Sequence, residues 1–173
     1  MQYLYYMKKL FMVAIILMVG VSSAMAQKNV IAVGANVNYG TEIKNVGFGG
    51  KLQYGLTDAI RSEVAFNYYL EKDGLGLWDA SVNVHYLFDL GEKFKVYPLV
   101  GLGYANCKTD WSIGLGDEDI ESGSVSSGEI MVNVGAGAEY PLTNNLSLGV
   151  ECKYQIISNF NQLVPTLGLT YKF

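Results

Sequence analysis

Apolar residues recur at every second position along most of the chain after residue 27, and this period of two predicts β-strands rather than helices. The alternation delimits eight segments of about ten residues, a length typical of strands that cross a membrane. They are 29–39, 46–55, 60–70, 78–88, 94–107, 129–140, 146–157 and 163–173. Tight turns and longer connections alternate between the segments, and residues 108–128 form the longest connection. The pattern predicts an all-β fold, an eight-stranded antiparallel up-and-down barrel with one plain end and one elaborated end.

The two faces of these segments differ in composition. One face carries large aliphatic and aromatic residues, and the other carries Gly, Asn, Gln and charged residues. A soluble lipocalin-like barrel would place the apolar face inside, whereas a membrane barrel would place it outside. An eight-stranded barrel has an interior just wide enough to be filled by side chains, which suits the glycine-rich face and not the bulky one. Aromatic residues also gather toward the segment ends, as in the interfacial girdles of membrane barrels. The sequence therefore favours a transmembrane β-barrel.

Residues 1–26 have the pattern of a cleavable signal peptide. Lys8 and Lys9 precede an apolar run over about residues 10–21, and Ala24-Met25-Ala26 forms a small-x-small cleavage site. The run is short for a transmembrane helix, which needs about 20 residues, so an uncleaved anchor is the less favoured alternative. Translation could begin at Met1 or at Met7. The prediction is a signal peptide at 1–26, export through the Sec pathway, and an outer-membrane barrel domain at 27–173 with both termini in the periplasm.

Composition excludes some partners. The chain has 173 residues, 16 % charged residues and a net charge of -4, so it lacks the basic footprint of a nucleic-acid-binding protein.

Cys107 and Cys152 fall on strands that are not neighbours and are expected on opposite faces, which predicts two free thiols rather than a disulfide.

Several stretches resemble the small outer-membrane β-barrel family, the OmpX/OmpA-barrel and opacity-porin-like superfamily, in a style common among Bacteroidetes. They are "VYPLVGLGYA" at 96–105, "VNVGAGAEYPLTNNLSLGVECKY" at 132–154 and the terminal "LGLTYKF". The resemblance covers essentially all of residues 27–173. It implies that the last strand is the signal read by the barrel-assembly machinery, which maps onto Leu167, Leu169, Tyr171 and Phe173. It leaves the function open, because such barrels serve as adhesins, structural proteins or lipid-modifying enzymes.

Charged residues on the predicted inner face form a candidate polar network. Its members are Lys51, Arg61, Glu63, Asp79, His85, Lys95, Glu139, Glu151 and Lys153. They could line an ion path, or they could pair with one another and plug the lumen. Because buried charges must be paired to offset their desolvation, the plugged lumen is the favoured interpretation. His85 could in principle serve a lipid A-modifying enzyme, but its inward position predicts an ordinary interior histidine and no catalytic residue.

The connection at 108–128 is the candidate surface-contact loop, because binding residues tend to lie on exposed loops held by a rigid scaffold. Its proposed contact residues are Trp111, Ile113, Asp117, Glu118 and Asp119. The acidic residues lack the regular spacing of a calcium-binding loop, so a solvated acidic loop is favoured and neither metal nor cofactor is predicted.

Three functional hypotheses follow. The first is a structural, surface-exposed outer-membrane protein whose loops mediate adhesion or host contact. The second is a narrow pore or a carrier of small molecules, and the third is a lipid A-modifying enzyme. The expected partners are outer-membrane lipids and lipopolysaccharide, the barrel-assembly machinery, and host or cell-surface ligands, with the barrel itself a monomer.

Overall fold

A computed structural model describes residues 29–72, 75–91, 93–114, 119–158 and 160–173. Regular structure in these residues consists of β-strands. They are β1 (Ile31–Gly40), β2 (Asn45–Gly55), β3 (Ile60–Lys72), β4 (Leu75–Tyr86), β5 (Phe88–Leu90), β6 (Phe94–Gly114), β7 (Asp119–Pro141), β8 (Leu146–Ile157) and β9 (Asn161–Lys172). The described part of the chain contains no helix long and apolar enough to span a bilayer.

The strands close into a barrel. Each strand pairs antiparallel with its neighbour, and β9 returns to pair with β1, where Ala32 lies opposite Lys172. β4 and β5 both pair with β6, so they are two parts of one barrel strand interrupted at Leu87. The prediction of a closed eight-stranded antiparallel barrel is therefore confirmed. Closure pairs the backbone N–H and C=O groups that the two edge strands of an open sheet would expose.

Two of the tight turns are built by the same local chemistry. The Thr57 Oγ1 accepts hydrogen bonds from the backbone N–H groups of Ala59 at 3.3 Å and Ile60 at 2.9 Å. Thr143 repeats this arrangement with Asn145 and Leu146, at 3.3 Å and 3.0 Å. A threonine hydroxyl that caps the following amides stabilises a turn without further contacts. These turns lie at the end of the barrel where the described chain begins and ends.

The alternation of apolar and polar residues in the sequence corresponds to an alternation of exposed and buried side chains in the strands. In β1, for example, the odd-numbered residues from Ile31 to Tyr39 are exposed and the even-numbered ones are buried. Exposed and half-buried aromatic rings on the outer face form two groups, one near each end of the barrel wall. Tyr86 and Phe88, Phe94 and Tyr140, and Tyr171 and Phe173 pair near the short turns, and Phe66, Trp78 and Tyr104 stack near the other end.

The prediction of a long loop at 108–128 is wrong. β6 continues to Gly114 and β7 begins at Asp119, so most of this segment is a paired hairpin. β4 reaches only Thr109 of β6, and β8 reaches only Met131 of β7. The hairpin therefore extends beyond the barrel wall as a two-stranded ribbon, which we call the outer ribbon and define as residues 110–114 and 119–130. Residues 108–128 are rich in glycine, serine and acidic residues, a composition typical of loops, although the backbone pairs over most of this segment.

Cys107 and Cys152 are free thiols, as the sequence predicted. Cys107 lies against an interior cluster, whereas Cys152 is exposed on the outer face of β8.

Candidate functional site: the barrel lumen and the outer ribbon

Arg61 is the centre of one ion cluster in the lumen. Its Nη1 donates to the Glu139 Oε2 at 2.8 Å, and its Nη2 and Nε face the Nδ1 of His85 at 3.2 and 3.4 Å. The guanidinium also lies 5.0 Å from the centre of the Tyr97 ring, which stacks on His85. The second oxygen of Glu139 pairs with the Lys172 Nζ at 2.6 Å. Each charge of this cluster therefore has an opposite charge in contact with it.

A second ion cluster is organised around Lys51. Its Nζ lies 3.6 Å from the Glu63 Oε2 and 3.5 Å from the Glu151 Oε2. Lys153 approaches the other oxygen of Glu151 at 3.7 Å, and the Tyr97 hydroxyl donates to the Glu151 Oε2 at 2.8 Å. Because all five side chains are buried, the contacts replace hydration that the charges have lost.

Buried amides connect these charges to the rest of the lumen. The Asn133 Nδ2 donates to the Asn83 Oδ1 at 3.0 Å, and the Asn83 Nδ2 donates to the Glu63 Oε1 at 3.1 Å. Asp79 accepts a hydrogen bond of 2.8 Å from Asn67. The side chains thus form a continuous polar layer across several strands.

The predicted network residues do not all lie in this layer. Lys51, Arg61, Glu63, Asp79, His85, Glu139, Glu151 and Lys153 are buried inside the barrel. Lys95 is only partly buried at the rim and pairs with Asp89 at 3.2 Å. The sequence also placed Lys172 on the inner face but did not include it in the candidate network, and it did not single out Asp89.

Apolar clusters lie on both sides of the polar layer. The cluster near the outer ribbon consists of Tyr69, Leu77, Ala105, Met131 and Ile157, with Ile43, Cys107 and Phe160 packed against it. The cluster near the short turns consists of Leu87, Tyr97 and Leu99. The sequence analysis missed both clusters because it treated the inner face as uniformly polar. Leu77, Leu99, Met131 and Ile157 nevertheless share the parity of the inward-facing residues, and that parity could have revealed them.

Glu63, His85 and Glu151 place one potential metal ligand each within 4.8 Å of one another. Arg61 has no hydrogen-bond acceptor, so the His85 Nδ1 that faces it must accept, and a neutral His85 ring carries its proton on Nε2. This Nε2 faces Glu63 at 3.7 Å, so a metal ion there would require loss of its proton. Lys51 already lies between the two carboxylates.

The formal charges of the lumen also fit poorly with a metal ion. The four cationic residues Lys51, Arg61, Lys153 and Lys172 match the four anionic residues Glu63, Asp79, Glu139 and Glu151. A divalent cation would add two uncompensated positive charges to this balanced set. We therefore assign the Glu63, His85 and Glu151 cluster to structure rather than to metal binding.

The candidate contact residues belong to the hairpin of β6 and β7. Trp111 and Ile113 lie on β6, where their backbones pair with Gly123 and Glu121 of β7. Asp119 is the first residue of β7. Asp117 and Glu118 lie outside the described residues.

The C-terminal residues implied by the resemblance lie on the closing strand. Leu167, Leu169, Tyr171 and Phe173 are all exposed on the outer face. The backbone N–H of Phe173 donates to the carbonyl oxygen of Ile31 at 2.9 Å, and Asn145 holds the Lys172 backbone through its side chain at 2.8 Å. The backbone thus fixes the end of β9, whereas the Phe173 ring is 74 % exposed and contributes little packing within the barrel.

This exposure separates an assembly role of Phe173 from a folding role. We expect Phe173→Ala to lower the yield of protein in the outer membrane of cells, while the purified variant refolds into detergent micelles like the parent. The measurement is the amount of heat-modifiable band in outer-membrane fractions, compared with refolding yield. Ile130→Ala, which removes another highly exposed apolar side chain, is the control and should leave both quantities unchanged. Equal cellular yield of the Phe173 variant would contradict the assembly role.

Comparison with known proteins gives the family. Residues 12–173 match the model of the outer membrane protein beta-barrel domain. No curated protein matches the sequence. The fold is similar to that of the N-terminal β-barrel domain of Pseudomonas aeruginosa OprF, with 20 % identity, 84 % of this chain and 98 % of that chain covered, and a TM-score of 0.62.

Two further solved structures share the fold. Neisserial surface protein A matches with 18 % identity, a TM-score of 0.63 and coverage of 83 % of this chain and 96 % of that chain. Ail of Yersinia pestis matches with 18 % identity, a TM-score of 0.58 and coverage of 86 % and 100 %. The match of the family model over nearly the whole sequence shows that the chain belongs to the outer-membrane β-barrel domain family.

Proposed function

We propose that this protein is a plugged outer-membrane barrel with a structural and surface role, and that it holds the outer ribbon outside the membrane for contact with other surfaces. The observation that supports the proposal is the set of large and charged side chains buried inside the barrel. Two ion clusters and a layer of buried amides occupy the centre, and apolar clusters lie on either side of them. An ion crossing this interior would have to break several buried ion pairs at once, so the pore alternative is disfavoured.

The proposed orientation follows from the two different ends of the barrel. Short turns and the ends of the described chain lie at one end, and the outer ribbon extends from the other. Membrane barrels of this family have short periplasmic turns and longer outer extensions. We place the termini in the periplasm, the outer ribbon outside, and the apolar wall against outer-membrane lipids and lipopolysaccharide. Residues 1–26 then serve as the Sec signal peptide and are removed.

No catalytic role is proposed for His85. Its ring is fully buried between Arg61, Glu63 and Tyr97, and a lipid substrate would approach the barrel from its outer wall. Ail, whose name refers to attachment and invasion, shares the fold at low identity. The fold alone does not transfer that role, so the surface role of this chain rests on the outer ribbon.

Single-channel recording in planar bilayers tests the plugged lumen. We expect no large, stable conductance steps from the refolded protein, because buried ion pairs and apolar clusters occupy the lumen. The variant Leu87→Ala/Leu99→Ala, which opens the apolar cluster near the short turns, should show more frequent current fluctuations. Leu102→Ala on the outer wall is the matched control and should behave like the parent. Large steps from the unmodified protein would overturn the proposal.

A further inference from the structure

A groove crosses the outer wall of the barrel at the seam where β1 meets β9. Its volume is about 460 Å³, within the range of roughly 300–1,000 Å³ that is typical of small-molecule sites. Four adjacent strands line it, in the order β2, β1, β9 and β8. The groove lies on the outside of the wall and is therefore separate from the lumen.

The strand register explains the two sides of the groove. Phe48, Val37 and Leu167 lie opposite one another on β2, β1 and β9, and their exposed side chains form one ridge. The next outward-facing row lies two residues nearer the short turns, where Leu169 and Leu148 are paired on β9 and β8. The groove runs between these two rows and therefore crosses the strands.

Small residues and backbone form the floor of the groove. In the second row, β1 carries Ala35 and β2 carries Gly50 opposite it, so this row has no large side chain on these two strands. Between the rows, Asn36 and Gly168 face inward and present only their paired backbones to the outside. The Asn36 side chain accepts a hydrogen bond from Asn38 inside the lumen. The lining therefore offers a ligand apolar contacts and no polar side chain.

The groove lies halfway between the two ends of the wall. Val37 is two residues from Tyr39 at the outer end of β1, and Leu169 is two residues from Tyr171 at the other end of β9. From β2 to β8 it spans three strand spacings, or roughly 14 Å. This length is close to half of the ~30 Å hydrocarbon core, the depth that one acyl chain fills. Because strands of such barrels are tilted by about 35–45°, a groove across them is inclined, and a chain that enters from one leaflet can follow it.

Shape and charge distinguish the possible occupants. A symmetric contact between two copies would place the groove against itself, and two facing concavities would leave a void. A lipid A molecule carries phosphates, which proteins bind with arginine and lysine. The turns at the outer end of these four strands, residues 41–44 and 158–160, contain only Lys44 as a basic residue, with Glu42 beside it. An acyl chain of a phospholipid fits both observations.

We propose that this groove binds one acyl chain of a phospholipid from the surrounding bilayer. Lipid tails are as apolar as the wall, so binding there depends on van der Waals packing rather than on the hydrophobic effect. A chain in the groove contacts both ridges and the floor, whereas a chain on the rest of the wall contacts it from one side. An unfilled groove would lose these dispersion contacts. The proposal goes beyond the surface role proposed above and depends on neither the plugged lumen nor the outer ribbon.

Photocross-linking tests the position of the bound chain. The protein is refolded into phosphatidylcholine vesicles that contain a small fraction of phosphatidylcholine with a diazirine in the terminal half of one acyl chain. After illumination, mass spectrometry maps the cross-linked residues. We expect cross-links to be enriched several-fold at residues 35–37 and 167–169. The reference is a set of exposed residues at a similar depth on β4 and β6, namely Val82, Val84, Val100 and Leu102. An even distribution of cross-links around the wall would overturn the proposal.

Variants of the groove test its shape. Ala35→Leu fills the floor and Phe48→Ala removes part of one ridge, so each should lower cross-linking at 167–169 several-fold. Ala136→Leu adds the same side chain at an exposed position of β7 outside the groove and is the control. Heat-modifiable migration confirms that each variant is folded. Unchanged cross-linking in both groove variants would contradict binding in the groove.

Two further outcomes identify a different occupant. Loss of the phospholipid cross-links when lipopolysaccharide is added to the vesicles would overturn the proposal in favour of a lipid A chain. Dimers that are cross-linked through residues 35–37 would overturn it in favour of a second copy. Large conductance steps would refute the plugged barrel and leave the cross-linking pattern unchanged, so failure of the proposed function and failure of this inference are distinguishable.

Discussion

Arg61→Met is expected to lower the free energy of unfolding by about 3 kcal/mol, because removing one partner of a buried ion pair leaves the other charge uncompensated. Arg61 loses three contacts at once: the 2.8 Å ion pair with Glu139, the donors to His85 and the contact with the Tyr97 ring. Lys172 remains on Glu139 but is partly solvent-exposed and cannot replace a buried guanidinium. Methionine keeps most of the volume of the arginine side chain, so the loss of stability reports the removed charge more than altered packing. Urea unfolding in lipid vesicles provides the measurement.

Two further variants identify the cause of the loss. Lys95→Met removes the cation of the rim pair with Asp89, which keeps about a fifth of its side-chain surface exposed, so its effect should stay below about 1 kcal/mol. Arg61→Met/Glu139→Gln removes both charges and should recover part of the loss, because the uncompensated carboxylate is gone. If the double variant is as unstable as the sum of both single variants, the ion pair is not the source of the effect.

The sequence predicted the barrel wall well because burial there has a simple period. Each wall strand has one face against the packed lumen and one against an apolar environment, so the two faces demand different residues. Lys51 and Glu63 could be placed inside, and Leu52 and Val64 outside, from parity alone, and the structure agrees. The turn chemistry of Thr57 likewise depends on a few adjacent residues and can be read locally.

The outer ribbon and the choice of ion-pair partners could not be predicted in this way. Residues 108–128 are rich in glycine, serine and acidic residues, so their composition indicates a loop even though β6 and β7 pair over most of this segment. Arg61 and Glu139 are 78 residues apart and lie on β3 and β7, which are not neighbours in the barrel wall. Their contact depends on how the closed barrel staggers its strands, a property of all pairings together. Sequence parity therefore shows which charges lie inside but not which of them meet.

Glycine explains how so many long side chains fit in the lumen, and it provides the second large effect. Gly49 faces inward on β2, where a Cβ atom would collide with the side-chain oxygens of Asn36 and Asn67 and approach the Phe66 carbonyl oxygen to 2.6 Å. Those asparagines are linked through Asn38, whose amide donates to Asn67 at 2.7 Å and to Asn36 at 3.2 Å. An added methyl group therefore disturbs both packing and buried hydrogen bonds.

We expect Gly49→Ala to destabilise the barrel by about 1–3 kcal/mol through overpacking, and by more where the displaced amides lose their partners. Gly50→Ala is the matched control, because the next residue of the same strand faces outward and a Cβ there meets only the Gly34 carbonyl oxygen, at 3.8 Å. Both variants change glycine to alanine in the same strand, so their intrinsic backbone effects are nearly equal. The difference between their free energies of unfolding therefore reports how tightly the lumen is packed at Gly49. Urea unfolding in lipid vesicles should separate them clearly. Equal stability of the two variants would show that the lumen has spare room at Gly49, and it would weaken the case for a side-chain plug.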